Sequence, residues 1–159
     1  MNNPNPFPAD RELVLTRIID APREKLFRAW TEPELLKQWF TPAPWKTIHV
    51  ETDVRPGGSG IIVMQSPEGQ EFSSRGIYLE VVRNEKLVFT DAYVKAWEPS
   101  EKPFMTAILT FEDAGGGKTK YAARIRHWTT ADYEKHTRMG FHEEWGKATD
   151  QLAALVARL

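Results

Sequence analysis

Cysteine is absent from the 159 residues. With it go disulfide frameworks, thiolate zinc sites, iron–sulfur clusters and cysteine nucleophiles. An excess of either charge is also missing: 21 Lys and Arg stand against 22 Asp and Glu, for a formal charge of −1. No basic field exists to hold a polyanion, so nucleic acid is not an expected partner. Apolar stretches such as Ile61–Met64 fall far short of the ~20 residues that a membrane span requires, and no membrane partner is expected. The opening MNNPNPFPAD has no cationic region followed by an apolar run, so a secretory leader is not expected and the cytoplasm is the expected location.

Motifs for chemistry are equally sparse. There is no Gly-x-Ser-x-Gly elbow, and Ser59, Ser66, Ser73, Ser74 and Ser100 lie near turns or strand ends without an evident His partner. Gly57-Gly58-Ser59-Gly60 and Gly115-Gly116-Gly117 lack the Lys-Ser/Thr ending and following helix of a phosphate cradle, and read as tight turns. Of the four histidines, His49, His127, His136 and His142, the last two are six apart on opposite faces of a helix. Neither a metal site nor another cofactor is expected.

What is present suits a packed core. Hydrophobic residues make up 41% of a chain whose length fits one domain. Three Pro and three Asn among the first eight residues rule out a regular helix or central strand there. The expected organisation is a loose arm over 1–10 and one domain over 11–159.

Glu12–Ile19 is β-rich. Asp20 offers an N-cap and Pro22 a first-turn residue, and Leu26, Phe27 and Trp30 then form a helical stripe. Pro33 restarts a helix, with Leu35, Leu36 and Trp39 in register, until Pro42 and Pro44 end it. Six further strands follow at hairpin spacing: around Ile48–Val54, Ile61–Gln65, Phe72–Val82, Leu87–Val94, Phe104–Phe111 and Thr119–Trp128. Short connections favour antiparallel neighbours. After a cap at Thr129 or Thr130, the chain from Ala131 to Leu159 holds no Pro. Phe141, Trp145, Ala148, Leu152, Leu155 and Leu159 share one face of a helix of up to 29 residues, whose stripe turns polar towards Glu134, Thr137 and Arg138. The expected fold class is α+β: a curved seven-stranded antiparallel sheet wrapping a long C-terminal helix, with two short helices between strands 1 and 2.

Aromatic residues are the strongest compositional signal, with six Trp. Large rings either fill the gap between sheet and helix or line a pocket there. On the last strand, alternation puts Tyr121, Ala123, Ile125 and His127 on one face and Lys120, Arg124 and Arg126 on the other. His127 is either a satisfied core histidine or a group that orients a ligand or moves a proton near neutral pH. Arg138 and Glu134, spaced as an i,i+4 pair, are further polar candidates on the helix.

The run from Asp20 to Phe40, DAPREKLFRAWTEPELLKQWF, resembles the opening of the START-like (SRPBCC, Bet v-type) superfamily, in the branch related to the C-terminal domain of the Hsp-90 ATPase activator. Arg55-Pro56-Gly57-Gly58, Gly76–Val82 with Glu85–Thr90, and Phe141…Trp145…Thr149-Asp150-Gln151-Leu152 extend the resemblance to nearly the whole chain. Two departures are Glu144, where the family usually has Gly, and Thr149, where it usually has Leu. The resemblance implies a helix-grip fold with a cavity between sheet and C-terminal helix. It places Trp39, Phe40, Tyr78, Tyr93, Phe141 and Trp145 near the cavity wall, and Met64, His127 and Arg138 join them as ligand-binding candidates. The function expected is binding of a small hydrophobic or aromatic molecule. One alternative is an enzyme of the polyketide cyclase/aromatase or hydrolase kind, with His127, Tyr78 and Tyr93 as acid–base candidates. Another is a module that binds a chaperone.

Overall fold

A computed structural model describes residues 7–159. The arm expected over 1–10 falls mostly on residues 1–6, which lie outside the described residues; Ala9–Arg11 form a single 3-10 turn. The chain then runs β1 (Glu12–Ile19), α1 (Arg23–Thr31), α2 (Pro33–Leu36), β2 (Lys46–Thr52), β3 (Ser59–Gln65), β4 (Glu71–Val82), β5 (Lys86–Thr90), β6 (Tyr93–Lys95), β7 (Glu98–Pro99), β8 (Met105–Gly115), β9 (Lys118–His127), α3 (Thr130–Arg138) and α4 (Phe141–Val156). Seven strands form one antiparallel sheet in the order β1-β9-β8-β5-β4-β3-β2, and β6 and β7 pair separately. This is the expected α+β helix-grip arrangement. No helix among the described residues is long and apolar enough to cross a membrane.

The core lies on one face of the sheet. On β9, Tyr121, Ala123, Ile125 and His127 are all buried, whereas Lys120 and Arg124 are exposed and Arg126 is only partly covered. Alternation alone sorts these faces. From α4, Phe141, Ala148, Leu152 and Leu155 enter the same core as Leu13, Phe111 and Tyr121. Contacts of α4 with α1 and β1 seat it on the sheet. Arg17 of β1 adds an ion pair to Asp150 at 2.6 Å.

Three local expectations change. Helix α1 begins one residue after Pro22, which stands at its N-cap position in extended backbone, so Asp20 caps nothing. The strand expected over Leu87–Val94 stops at Thr90, because its Oγ1 donates to the Met105 carbonyl and accepts from Ala92 N, drawing the chain out of the ladder. The C-terminal helical stretch is two helices. Gly140 has φ 87°, a left-handed conformation that costs glycine little, and it re-aims the chain between α3 and α4. Residues Glu134, Thr137 and Arg138 are therefore exposed, and His136 is the residue that α3 buries.

Thr129 caps α3 by accepting from Asp132 N at 3.0 Å. Thr129→Ala is expected to cost about 1 kcal/mol, read as a lower denaturant midpoint with an unchanged slope.

Candidate functional site

The segment after α2, from Trp39 to Pro42, and the start of α4 border a recess of about 310 Å³. Trp39, Phe40, Met64, Phe141 and Trp145 border it, with Trp30 and Tyr121 behind them. The rings hold one another edge-on: Trp30 lies 4.8 Å from Trp39 and 5.9 Å from Phe40, centroid to centroid. Trp39 Nε1 donates to the Ala29 carbonyl at 3.0 Å, which fixes its ring. Phe141 and Trp145, one helical turn apart, lie 5.3 Å from each other. Trp30 is 3% exposed, and its Nε1 is buried with no hydrogen-bond partner among the described residues. Burial raises the ionisation of the Tyr121 phenol above its usual range, so it stays a neutral hydroxyl.

A second recess of about 100 Å³ adjoins the first and shares Trp30, Phe40, Ser74 and Met105 with it. Tyr78 borders this smaller space. Its phenol is pushed up to about 12 by burial, with the Asp53 carboxylate adding to the effect. Asp91 lies here too, accepting from Phe104 N and Met105 N at 2.8 and 3.1 Å. Burial nevertheless raises its carboxyl above the ordinary aspartate value. A third recess, about 470 Å³, is an open surface groove beside Trp45, Lys46 and Gln151.

At the other side of the larger recess stands a histidine pair. His127 Nδ1 lies 3.2 Å from the Arg11 carbonyl, and its Nε2 lies 2.8 Å from His136 Nδ1. A carbonyl only accepts, so His127 Nδ1 carries a proton. Neutral His127 then accepts at Nε2, and His136 Nδ1 is the donor between the two rings. The remaining nitrogen, His136 Nε2, has no hydrogen-bond partner among the described residues, and His136 borders the recess. Phe104 and Phe141 pack on the His136 ring, each 5.1 Å away. Burial, reinforced by the proximity of His127, lowers His136 to about 4. Burial also lowers His127, against the upward pull of the Arg11 carbonyl and of Asp132 and Asp91. Both rings are neutral at pH 7.

Five sequence candidates therefore meet at one recess: Trp39, Phe40, Met64, Phe141 and Trp145. Tyr78 borders the adjoining one together with Phe40. His127 sits behind His136 and borders neither. Tyr93 packs on exposed Trp97 in the β6–β7 hairpin, and Arg138 is exposed on α3; neither borders these recesses. Of the two departures from the family pattern, Thr149 is buried with its Oγ1 donating to the Trp145 carbonyl at 2.7 Å, and Glu144 lies at the mouth of the larger recess. Sequence reasoning misses His136 and Tyr121 as site residues. Alternation puts Tyr121 on the correct face of β9 but gives it no role, and a glycine that breaks the helix is the one signal that could turn His136 inward. No group of three or more His, Cys, Asp or Glu side chains suited to a metal occurs among the described residues.

Residues 20–157 match the family described as Activator of Hsp90 ATPase homolog 1-like protein. A crystal structure of a protein from Nitrosomonas europaea is similar at 39% identity and a TM-score of 0.92, covering 96% of this chain and 97% of that one. A Mycobacterium smegmatis protein shares the fold at 22% identity and a TM-score of 0.78, over 92% of this chain and 91% of its own. So does the AHSA1-like protein from Aeromonas hydrophila, at 17% identity and a TM-score of 0.72, over 92% of each chain. Among curated proteins, a glutamyl-tRNA(Gln) amidotransferase subunit of Haloquadratum walsbyi is 26% identical over 107 residues. That match spans 66% of this chain but only 24% of the amidotransferase polypeptide.

Proposed function

The chain belongs to the Activator of Hsp90 ATPase homolog 1-like family, and from that premise we propose that it binds a small, ring-bearing hydrophobic molecule between the sheet and the C-terminal helix. Membership supports a ligand-binding or activator-like domain in general terms. The narrower reading rests on one observation, the aromatic-walled recess of about 310 Å³. Ligand pockets are typically concave, mostly apolar and about 300–1,000 Å³, with a few polar groups that set orientation. This recess has that size, and its polar atoms are few.

The acid–base groups of the enzyme alternative do not converge in the same way. His127, Tyr78 and Tyr93 do not border one common space, and efficient general acid–base catalysis wants a group poised near the working pH within reach of the substrate. A chaperone-binding role draws on the family description alone, and no surface feature described above favours it.

Binding is testable with the intrinsic signal of Trp30, Trp39 and Trp145, all at the recess. Titration with two-ring aromatic compounds is expected to quench tryptophan fluorescence to a saturating end point, and native mass spectrometry to give a one-to-one adduct. Ala148 borders the recess from α4. Ala148→Phe is expected to weaken binding about tenfold or more by occupying the space, at a folding cost of about 1–3 kcal/mol. Unsaturable quenching, or equal affinity in the filled variant, would defeat the reading.

A further inference from the structure

Resting on that reading, we propose that the recess selects a neutral two-ring hydroxyarene whose hydroxyl donates a hydrogen bond to His136 Nε2. The His127–His136 pair is a device for holding one acceptor in place. The Arg11 carbonyl fixes the tautomer of His127, and His127 fixes that of His136, which leaves a bare lone pair on His136 Nε2, the one ring nitrogen of the pair without a protein partner among the described residues. Unlike Trp30 Nε1, this nitrogen is not sealed off, so a ligand hydroxyl can reach it and donate to it. His136 is 8% exposed and borders the recess.

Size and charge narrow the class. The recess, about 310 Å³, is roughly twice the ~150 Å³ cavity that accommodates benzene, so two fused rings fit. Its walls include the rings of Trp39, Phe40 and Trp145. No lysine or arginine borders it among the described residues, and Glu144 stands at its mouth. A carboxylate ligand would meet a lone pair at His136 and a like charge at Glu144. Burial keeps His136 neutral at pH 7, and the nearby carboxylates, Asp132 and Asp91, act on His127. A neutral donor is what this arrangement accepts.

The test compares 2-naphthol, 2-methoxynaphthalene and 2-naphthoate by calorimetry on the full chain at neutral pH. The methyl ether keeps the rings and the oxygen but has no donor. Expected is binding of 2-naphthol about tenfold tighter than of the ether, the size of one hydrogen bond in a dry site, with the carboxylate weakest. In His136→Phe the naphthol and the ether are expected to bind alike. Should that variant fail to fold, nitrogen-15 NMR of the wild-type imidazoles decides: His136 is expected to be protonated at Nδ1 and bare at Nε2, and 2-naphthol to move the Nε2 resonance alone. Equal binding of naphthol and ether, tightest binding of the carboxylate, or the opposite tautomer overturns the inference while leaving an enclosing recess intact. If none of the three compounds binds, the functional reading falls with it.

Discussion

Gly58→Ala is expected to destabilise the fold by about 3 kcal/mol or more, roughly 10 °C in the unfolding midpoint for a chain of this size. Gly58 closes the Arg55-Pro56-Gly57-Gly58 turn, with its N–H donating to the Arg55 carbonyl at 2.8 Å. A Cβ there would overlap the backbone carbonyl of Asp53, which no side-chain rotation can relieve. The same turn exchanges hydrogen bonds with Tyr78, Gly57 N to the Tyr78 carbonyl at 2.8 Å and Tyr78 N to the Gly58 carbonyl at 2.9 Å. Moving the turn therefore moves the strand that carries Tyr78 to the smaller recess. Gly57 is the control: its φ of 83° favours glycine, yet open space surrounds its would-be Cβ. Gly57→Ala should cost only about 1 kcal/mol. Thermal unfolding of both variants checks the ranking, and a Gly58 variant no weaker than the Gly57 one would refute it.

Acid should weaken the fold through His136. Its folded-state value of about 4 lies below the ~6.5 of a free imidazole, so between these limits the unfolded chain binds a proton that the folded chain does not. Stability therefore rises with pH across this window, is complete above about 6.5, and is lost as pH falls to about 4. A shift of this size corresponds to about 3 kcal/mol at full burial; solvent reaching the ring through the recess brings the expectation nearer about 2 kcal/mol. His127, also lowered by burial, acts in the same direction. Asp91, raised by burial, opposes it: its folded form holds a proton longer than its unfolded form, and that gain grows as pH falls. Subtracting the pH–stability curve of His136→Gln from that of the wild type isolates the pair. The prediction fails if the two curves run parallel between pH 6.5 and 4.

Period-two alternation carries much of the fold, because each face of β9 meets a different medium: core for Tyr121 and Ile125, solvent for Lys120 and Arg124. Pro33 at the first position of α2, Thr129 at the cap of α3 and the apolar stripe of α4 are legible for similarly local reasons. What escapes is decided by contacts between elements. The β5 break depends on a Thr90 hydroxyl finding carbonyl and amide partners, and residues 87–94 read as one strand without them. Gly140 breaks a sequence whose helical propensity continues on both sides. Extending one period through it points Arg138 inward and hides His136. The ring wall is foreseen through the family resemblance, which the two short stretches around Trp39 and around Trp145 help to carry. The histidine pair is not, since nothing local tells His136 that His127 waits on the last strand.

The acceptor at His136 is assembled from segments far apart along the chain. Arg11 supplies its carbonyl 116 positions before His127, and Phe141 and Trp145 arrive later still. During synthesis, a nascent polypeptide that stops short of Trp145 has no competent receptor, however much of its sheet has formed. On the proposed reading, occupancy of the receptor would report on completion of the fold, and a cognate small molecule would favour finished copies over partial ones by mass action.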